Sequence, residues 1–211
     1  MNPKAIAPYT IARSSALLIA IILLGSSAVL GRIPLFLLLN RDFGTIADNV
    51  LLGFTYLAEG WMWIPYLIIV GWFLKKDKAI IIYCFAISTL LTQIPKLVLL
   101  PNITRPIASG IDPSLIHKVE GVAMHQLSSF PSGHTATAFT IFLLTIYLFD
   151  NKKMILIGLI YAMLCAYSRV YLGQHFPLDL GGGIIVAILT VEISKRIRKN
   201  KRTVSRDEFT C

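Results

Sequence analysis

Apolar residues run along this chain in long unbroken blocks, not in the alternation of strands or the narrow stripes of surface helices. A helix that crosses the roughly 30 Å hydrocarbon layer of a bilayer needs about 20 such residues. Six blocks meet or approach that length, at about residues 14–39, 50–74, 79–100, 132–149, 154–172 and 178–193. The pattern predicts an all-α polytopic membrane protein, a bundle of six transmembrane helices forming a single domain over residues 1–211. In the first block, Gly25-Ser26-Ser27-Ala28 mimics a signal-peptidase site, but the apolar run resumes beyond it, so an uncleaved span is expected. Gly31-Arg32-Ile33-Pro34 predicts a bend in that span, with Arg32 snorkelling or facing the interior. Trp61, Trp63 and Tyr66 mark an interfacial belt on the second block, which carries Glu59 near its outer end. In the sixth, Gly181-Gly182-Gly183 permits close helix packing.

Composition agrees with that pattern. The chain is 55% hydrophobic and 15% charged, against about a quarter charged in soluble domains. Its formal charge of +9 would suit nucleic acid, but the distribution points elsewhere. Lys4, Arg13, Lys75, Lys76, Lys78, Lys152, Lys153, Lys195, Arg196, Arg198, Lys199, Lys201, Arg202 and Arg206 all fall on one side of a six-span bundle, 14 of the 20 basic residues. The positive-inside rule makes that side cytoplasmic, with both termini there, and the basic tail a topology anchor rather than a nucleic-acid arm. The three cysteines, Cys84, Cys165 and Cys211, form neither a disulfide framework nor a metal motif.

The other six basic residues, Arg32, Arg41, Lys96, Arg105, Lys118 and Arg169, belong to the opposite, outer half. So do three segments with chemical potential. Pro131-Ser132-Gly133-His134 opens the fourth block: Ser132 suits an N-cap, Gly133 allows close approach to the backbone, and the free N–H groups of a helix start bind phosphate. Lys96 and Arg105-Pro106 flank the end of the third block. Between the fifth and sixth lies Ser168-Arg169, followed by His175-Phe176-Pro177-Leu178-Asp179. Pro177 suits a first helical position, which makes Phe176 the N-cap and sets Asp179 where it reaches back to hold one nitrogen of His175. Taken singly, these are also a capped helix start with a surface histidine, a snorkelling lysine and a loop dipeptide. Their meeting on one face points to a site.

Together these residues make the chain resemble the type 2 phosphatidic acid phosphatase superfamily, whose signature is Lys-x6-Arg-Pro, Pro-Ser-Gly-His and Ser-Arg-x5-His-x3-Asp. The second and third parts are complete here, at Pro131–His134 and Ser168–Asp179. The first departs from the pattern, with eight residues, Leu97 to Thr104, between Lys96 and Arg105. The resemblance implies a phosphohydrolase working without metal or other cofactor through a phosphohistidine. It makes His175 the nucleophile, oriented by Asp179, and His134 the acid and base. Lys96, Arg105, Ser132, Gly133 and Arg169 would bind the phosphate. His117, Lys118, Glu120 and His125 in the outer loop match no motif, and the two histidines are expected to face solvent or, at most, to contact a substrate head group.

The expected protein is an integral-membrane lipid phosphatase of a bacterial inner membrane, its site facing the periplasm. Its partners are the bilayer and a lipid phosphate: undecaprenyl diphosphate, phosphatidylglycerophosphate, phosphatidate or the 1-phosphate of lipid A. Neither nucleic acid nor an obligate protein partner is expected. The alternatives are a phosphatase of a soluble ester and a non-catalytic membrane protein that binds or transports an anion.

Overall fold

The computed structural model describes residues 7–207, with side chains through residue 201. Lys4 and Cys211 lie outside the described residues, as do the side chains of Arg202 and Arg206. All regular structure among the described residues is helical. Helix α1 (Pro8–Leu30) stops at Gly31, whose φ of 83° is open to glycine at little cost, and α2 (Arg32–Leu39) leaves at a new angle. Arg32 turns inward, its guanidinium 4.9 Å above the Phe176 ring and 3.4 Å from the Thr104 hydroxyl.

The block at 50–74 is not one helix, which corrects the second predicted span. Helix α3 (Thr45–Tyr56) ends before Leu57, and a 3₁₀ turn at Gly60–Met62 leads into α4 (Trp63–Tyr66), which widens into a π-helical segment, Leu67–Phe73. Hydropathy cannot register the break because both halves are apolar. What separates them is packing: α3 lies against α7 (Lys153–Tyr171), burying Leu51 and Thr55, which leaves Gly60–Phe73 as a shorter apolar helix.

Helix α5 (Lys78–Ile94) starts at Asp77, whose carboxylate accepts the Ala79 N–H at 3.1 Å. Pro95 supplies no N–H, and the helix continues as a π turn, Pro95–Leu99, with the Leu100 N–H reaching back to the Pro95 carbonyl at 2.7 Å. Helix α6 (Gly133–Phe149) is apolar on every side, as suits a central helix, and is buried along most of its length. Around it pack α5, α7 and α8 (Pro177–Asp207), while α1 lies along α8.

Among the described residues, four helices are long and apolar enough to cross a membrane: Pro8–Leu30, Lys78–Leu99, Lys153–Tyr171 and Pro177–Lys201. Gly60–Phe73 and Gly133–Phe149 are apolar but shorter. The protein is an integral membrane protein with distinct ends. At one end Glu192 accepts from Tyr9 (2.9 Å) and Arg13 (3.2 Å), Arg198 pairs with Asp77 (2.6 Å), and Lys76 sits 4.5 Å from the Phe149 ring centre. The starts of α6 and α8 meet at the other.

That meeting depends on Gly183. A Cβ there would fall 2.7 Å from the Ser132 carbonyl oxygen and 2.9 Å from the Thr135 Cβ. Because backbone blocks the space, Gly183→Ala must push α8 away from α6. We expect it to cost about 1–3 kcal/mol, read as a lower thermal unfolding midpoint in detergent. An unchanged midpoint would show that the two helices do not come this close.

Candidate active site

The two helix starts are joined through the backbone: the Ser132 N–H donates to the Asp179 carbonyl at 2.9 Å. Ser132 caps α6, its hydroxyl accepting from the Thr135 N–H at 3.4 Å and contacting the Thr135 hydroxyl at 3.0 Å. At the start of α8, Asp179 reaches back over the first turn. Its Oδ2 accepts from the Phe176 N–H at 2.9 Å and the Ser129 hydroxyl at 2.5 Å, and meets His175 Nδ1 at 3.2 Å. Asp179 and His175 are each 1% exposed. With Oδ2 accepting, Nδ1 carries the proton and the second ring nitrogen, Nε2, keeps its lone pair. Burial holds the His175 imidazole well below the ordinary histidine range, and Arg105, Lys96 and Arg169 add to the effect. It is therefore neutral at pH 7, with all three cations in its field.

Each cation arrives from a different element. The Lys96 ammonium, on the π turn after α5, lies 3.8 Å from where a Cβ of Gly133 would stand, so glycine leaves it access to the start of α6. The two extra residues between Lys96 and Arg105 are absorbed by the π turn and a turn at Pro101–Asn102. The chain then returns alongside residues 126–129, with the Arg105 N–H on the Gln126 carbonyl at 2.8 Å and the Ser129 N–H on the Ile103 carbonyl at 3.1 Å. Arg105, 8% exposed, donates to the Leu127 carbonyl at 3.0 Å and to Gln174, at its carbonyl (3.2 Å) and side-chain oxygen (3.4 Å). Arg169, on the last turn of α7, donates to the Thr55 hydroxyl at 2.7 Å, while its Nε is buried with no acceptor. A buried guanidinium N–H without a partner is costly, and an anion at this spot would satisfy it.

His134, on the first turn of α6, borders a cleft of about 230 Å³ together with Lys96, Gly133 and Thr137. His175 lies within its electrostatic reach. The structure thus gathers Lys96, Arg105, Ser132, Gly133, His134, Arg169, His175 and Asp179 around one position.

Three neighbours escaped the sequence reading. Thr55 accepts from Arg169 and lies 3.0 Å from the Ser168 hydroxyl. Gln174, 2% exposed, holds Arg105 and donates to the Ala123 carbonyl at 3.0 Å. Ser129 supplies the shortest bond to Asp179. Thr55 sits in an apolar run that offers no signal; Gln174 falls inside the third signature, next to His175, and its position there is the signal that points to it. His117 corrects another expectation. It does not face solvent: its Nε2 is 3.1 Å from Asp48, its ring packs on Tyr171 at 4.6 Å between centres, and its N–H donates to Asn40 at 2.7 Å. The buried Asn40 amide also donates to the Val170 and Tyr171 carbonyls at 2.9 and 2.8 Å, so this network fixes the end of α7. His125 is exposed as expected, though partial burial first, and then the field of the same three cations, pulls its pKa below the ordinary value.

Fold and cluster together define an all-helical membrane protein that gathers cations and two histidines where two helix starts meet. The chain belongs to the PAP2 superfamily, whose family model matches residues 77–203. It is 28% identical to an undecaprenyl-diphosphatase of Sulfolobus acidocaldarius over 81% of this chain and 82% of that protein. It is 36% identical to the undecaprenyl-diphosphatase BcrC of Bacillus subtilis over 36% of this chain, an alignment that spans only 39% of BcrC. Among solved structures it resembles LpxE of Aquifex aeolicus, at 31% identity and a TM-score of 0.66, over 77% of this chain and 93% of that one.

Proposed function

We propose that this chain is an integral-membrane lipid phosphatase that hydrolyses a phosphate monoester or diphosphate through a phosphohistidine. One observation carries the reading: the Ser132–Asp179 backbone bond, which sets an anion-binding helix start beside an imidazole already held in one tautomer. The names of the relatives, two of them undecaprenyl-diphosphatases, support a lipid phosphate as substrate.

In the proposed reaction, phosphate oxygens sit among Lys96, Arg105, Arg169 and the N–H groups at the start of α6, and take up the free Nε of Arg169. His175 Nε2 attacks phosphorus in line. The P–O bond to the leaving group breaks, and His134 gives that oxygen its proton. Water then attacks the phosphohistidine, His134 takes a proton from it, the P–N bond breaks and phosphate departs. Asp179 stabilises the imidazolium character that develops at His175. No step requires a metal, since three side-chain cations neutralise the transferred group.

Six crossings give the bundle its topology in this reading, the shorter Gly60–Phe73 and Gly133–Phe149 among them, in one domain over the whole chain. The basic end faces the cytoplasm with both termini, and the site faces the outside of a bacterial inner membrane. Purified protein is expected to release phosphate from at least one lipid in a panel of phosphatidate, phosphatidylglycerophosphate, lipid A 1-phosphate and undecaprenyl diphosphate. The rate should be unaffected by chelators and inhibited by vanadate, which adopts the geometry of five-coordinate phosphorus. Silence across the panel, or a strict requirement for a divalent cation, would overturn the proposal.

A further inference from the structure

The cleft beside His134 changes character along one face of α5. From Lys96 it passes Gln93 and Thr92, then Thr89 and Ser88, then Phe85, a fall of about 12 Å from Lys96 to Ser88 at the usual helical rise. Below this, and sharing Gly60, Trp63 and Phe85 with it, an apolar groove of about 260 Å³ continues between α4 and α5, lined also by Ile64, Leu67, Ile68, Ile81 and Ile82.

The polar stretch holds hydrogen-bonding groups that lack partners among the described residues. Ser88 (3% exposed) lines the cleft from α5 and Thr137 (7%) from α6, and neither hydroxyl makes a hydrogen bond. The Trp63 indole (5% exposed) walls the same space with no acceptor for its N–H, and the Gln93 amide is free. Thr89 and Thr92 donate their own hydroxyls to the Phe85 and Ser88 carbonyls, both at 2.8 Å, which leaves their oxygens as acceptors. Unsatisfied polar groups at membrane depth are costly, and here they line one cavity. Beyond Lys96 that cavity contains no charge.

We infer that this cleft receives the neutral polar portion of the substrate's alcohol, the glycerol or sugar with its ester carbonyls and hydroxyls, while the groove takes the hydrocarbon tail. The inference rests on the phosphatase reading and narrows it to monoesters of hydroxylic lipids. Phosphate, hydrogen-bonding linker and tail then meet cations, neutral donors and apolar wall in the order the lipid itself has them. A polyprenyl diphosphate lacks the neutral segment. It would instead bring a second phosphate into a space with no cation for it, which burial disfavours.

The test compares kcat/KM of the wild type, Gln93→Leu and Thr137→Val in detergent micelles on three substrates: phosphatidate, a lipid A 1-phosphate and undecaprenyl diphosphate. Gln93 is exposed and Thr137→Val keeps shape, so both variants are expected to fold, with their unfolding midpoints as the check. The wild type should favour one or both monoesters over the diphosphate by tenfold or more, the two monoester arms telling glycerol from sugar. Each substitution should lower the favoured monoester's value about tenfold and the diphosphate's by less, narrowing that preference. A wild type that prefers the diphosphate, or variants that lower all three substrates equally, would overturn the inference and leave the phosphatase reading standing. Release from none of the three by the wild type would instead overturn both.

Discussion

His175→Ala is expected to lower phosphate release from a lipid phosphate by about 10⁴-fold or more, the scale on which removal of a covalent nucleophile acts. The nitrogen that bonds phosphorus is gone, and no neighbouring group is placed to substitute: Asp179 is buried behind the ring with Oδ2 already committed to the Phe176 N–H and the Ser129 hydroxyl. Rapid quenching of the wild type with radiolabelled substrate should trap a phosphoenzyme that is labile in acid and stable in base, and His175→Ala should trap none. The pH profile gives a separate check. Protonation of His175 removes the attacking lone pair, and burial among three cations holds its pKa well below the ordinary value, near 6.5 for a free histidine. The acid limb of kcat/KM should therefore fall below pH 6.5, with the nucleophile still competent where an ordinary histidine would be half protonated. Normal turnover by His175→Ala, or an acid limb above that pH, would remove the nucleophile from the mechanism.

The parts of this structure that the sequence made legible are those encoded locally. Helices α5 to α8 follow from continuous apolar runs bounded by Asp77, Ser132 and Pro177, each of which satisfies or removes a backbone donor at a helix start. The bend at Gly31 follows from a residue that tolerates positive φ. The Asp179 back-bond to Phe176 follows from the spacing after Pro177. What stayed hidden depends on partners distant in sequence. Residues 50–74 read as one span because hydropathy sums α3 and α4 without sensing that α3 lies against α7. Thr55 matters only because that packing brings its hydroxyl under Arg169, 114 positions away. His117 reads as a loop histidine until Asn40 and Asp48 are seen to hold it. Gly183 is legible as a packing glycine, but not as the residue that lets the third motif touch the second.

Asp179 offers the sharpest separation of architecture from chemistry, because its carboxylate does both kinds of work. Asp179→Ala strands three buried donors, the Ser129 hydroxyl, the Phe176 N–H and His175 Nδ1. At about 1–3 kcal/mol for each buried donor left unpaired, a lower unfolding midpoint is expected along with lost activity, so this variant alone cannot tell the two apart. Asp179→Asn can. Its amide keeps the size of the carboxylate, and with its oxygen at the Oδ2 position it still accepts from the Ser129 hydroxyl, the Phe176 N–H and His175 Nδ1, so the tautomer and most of the stability should remain. What the variant loses is the negative charge that stabilises the imidazolium character developing at His175 during attack. The expected result is a well-folded protein whose phosphate release is about 10²- to 10³-fold slower, the size of effect that loss of one transition-state electrostatic contact produces. A rate within tenfold of the wild type in folded Asp179→Asn would show that Asp179 secures the start of α8 and the orientation of His175 and that its charge adds nothing to the reaction.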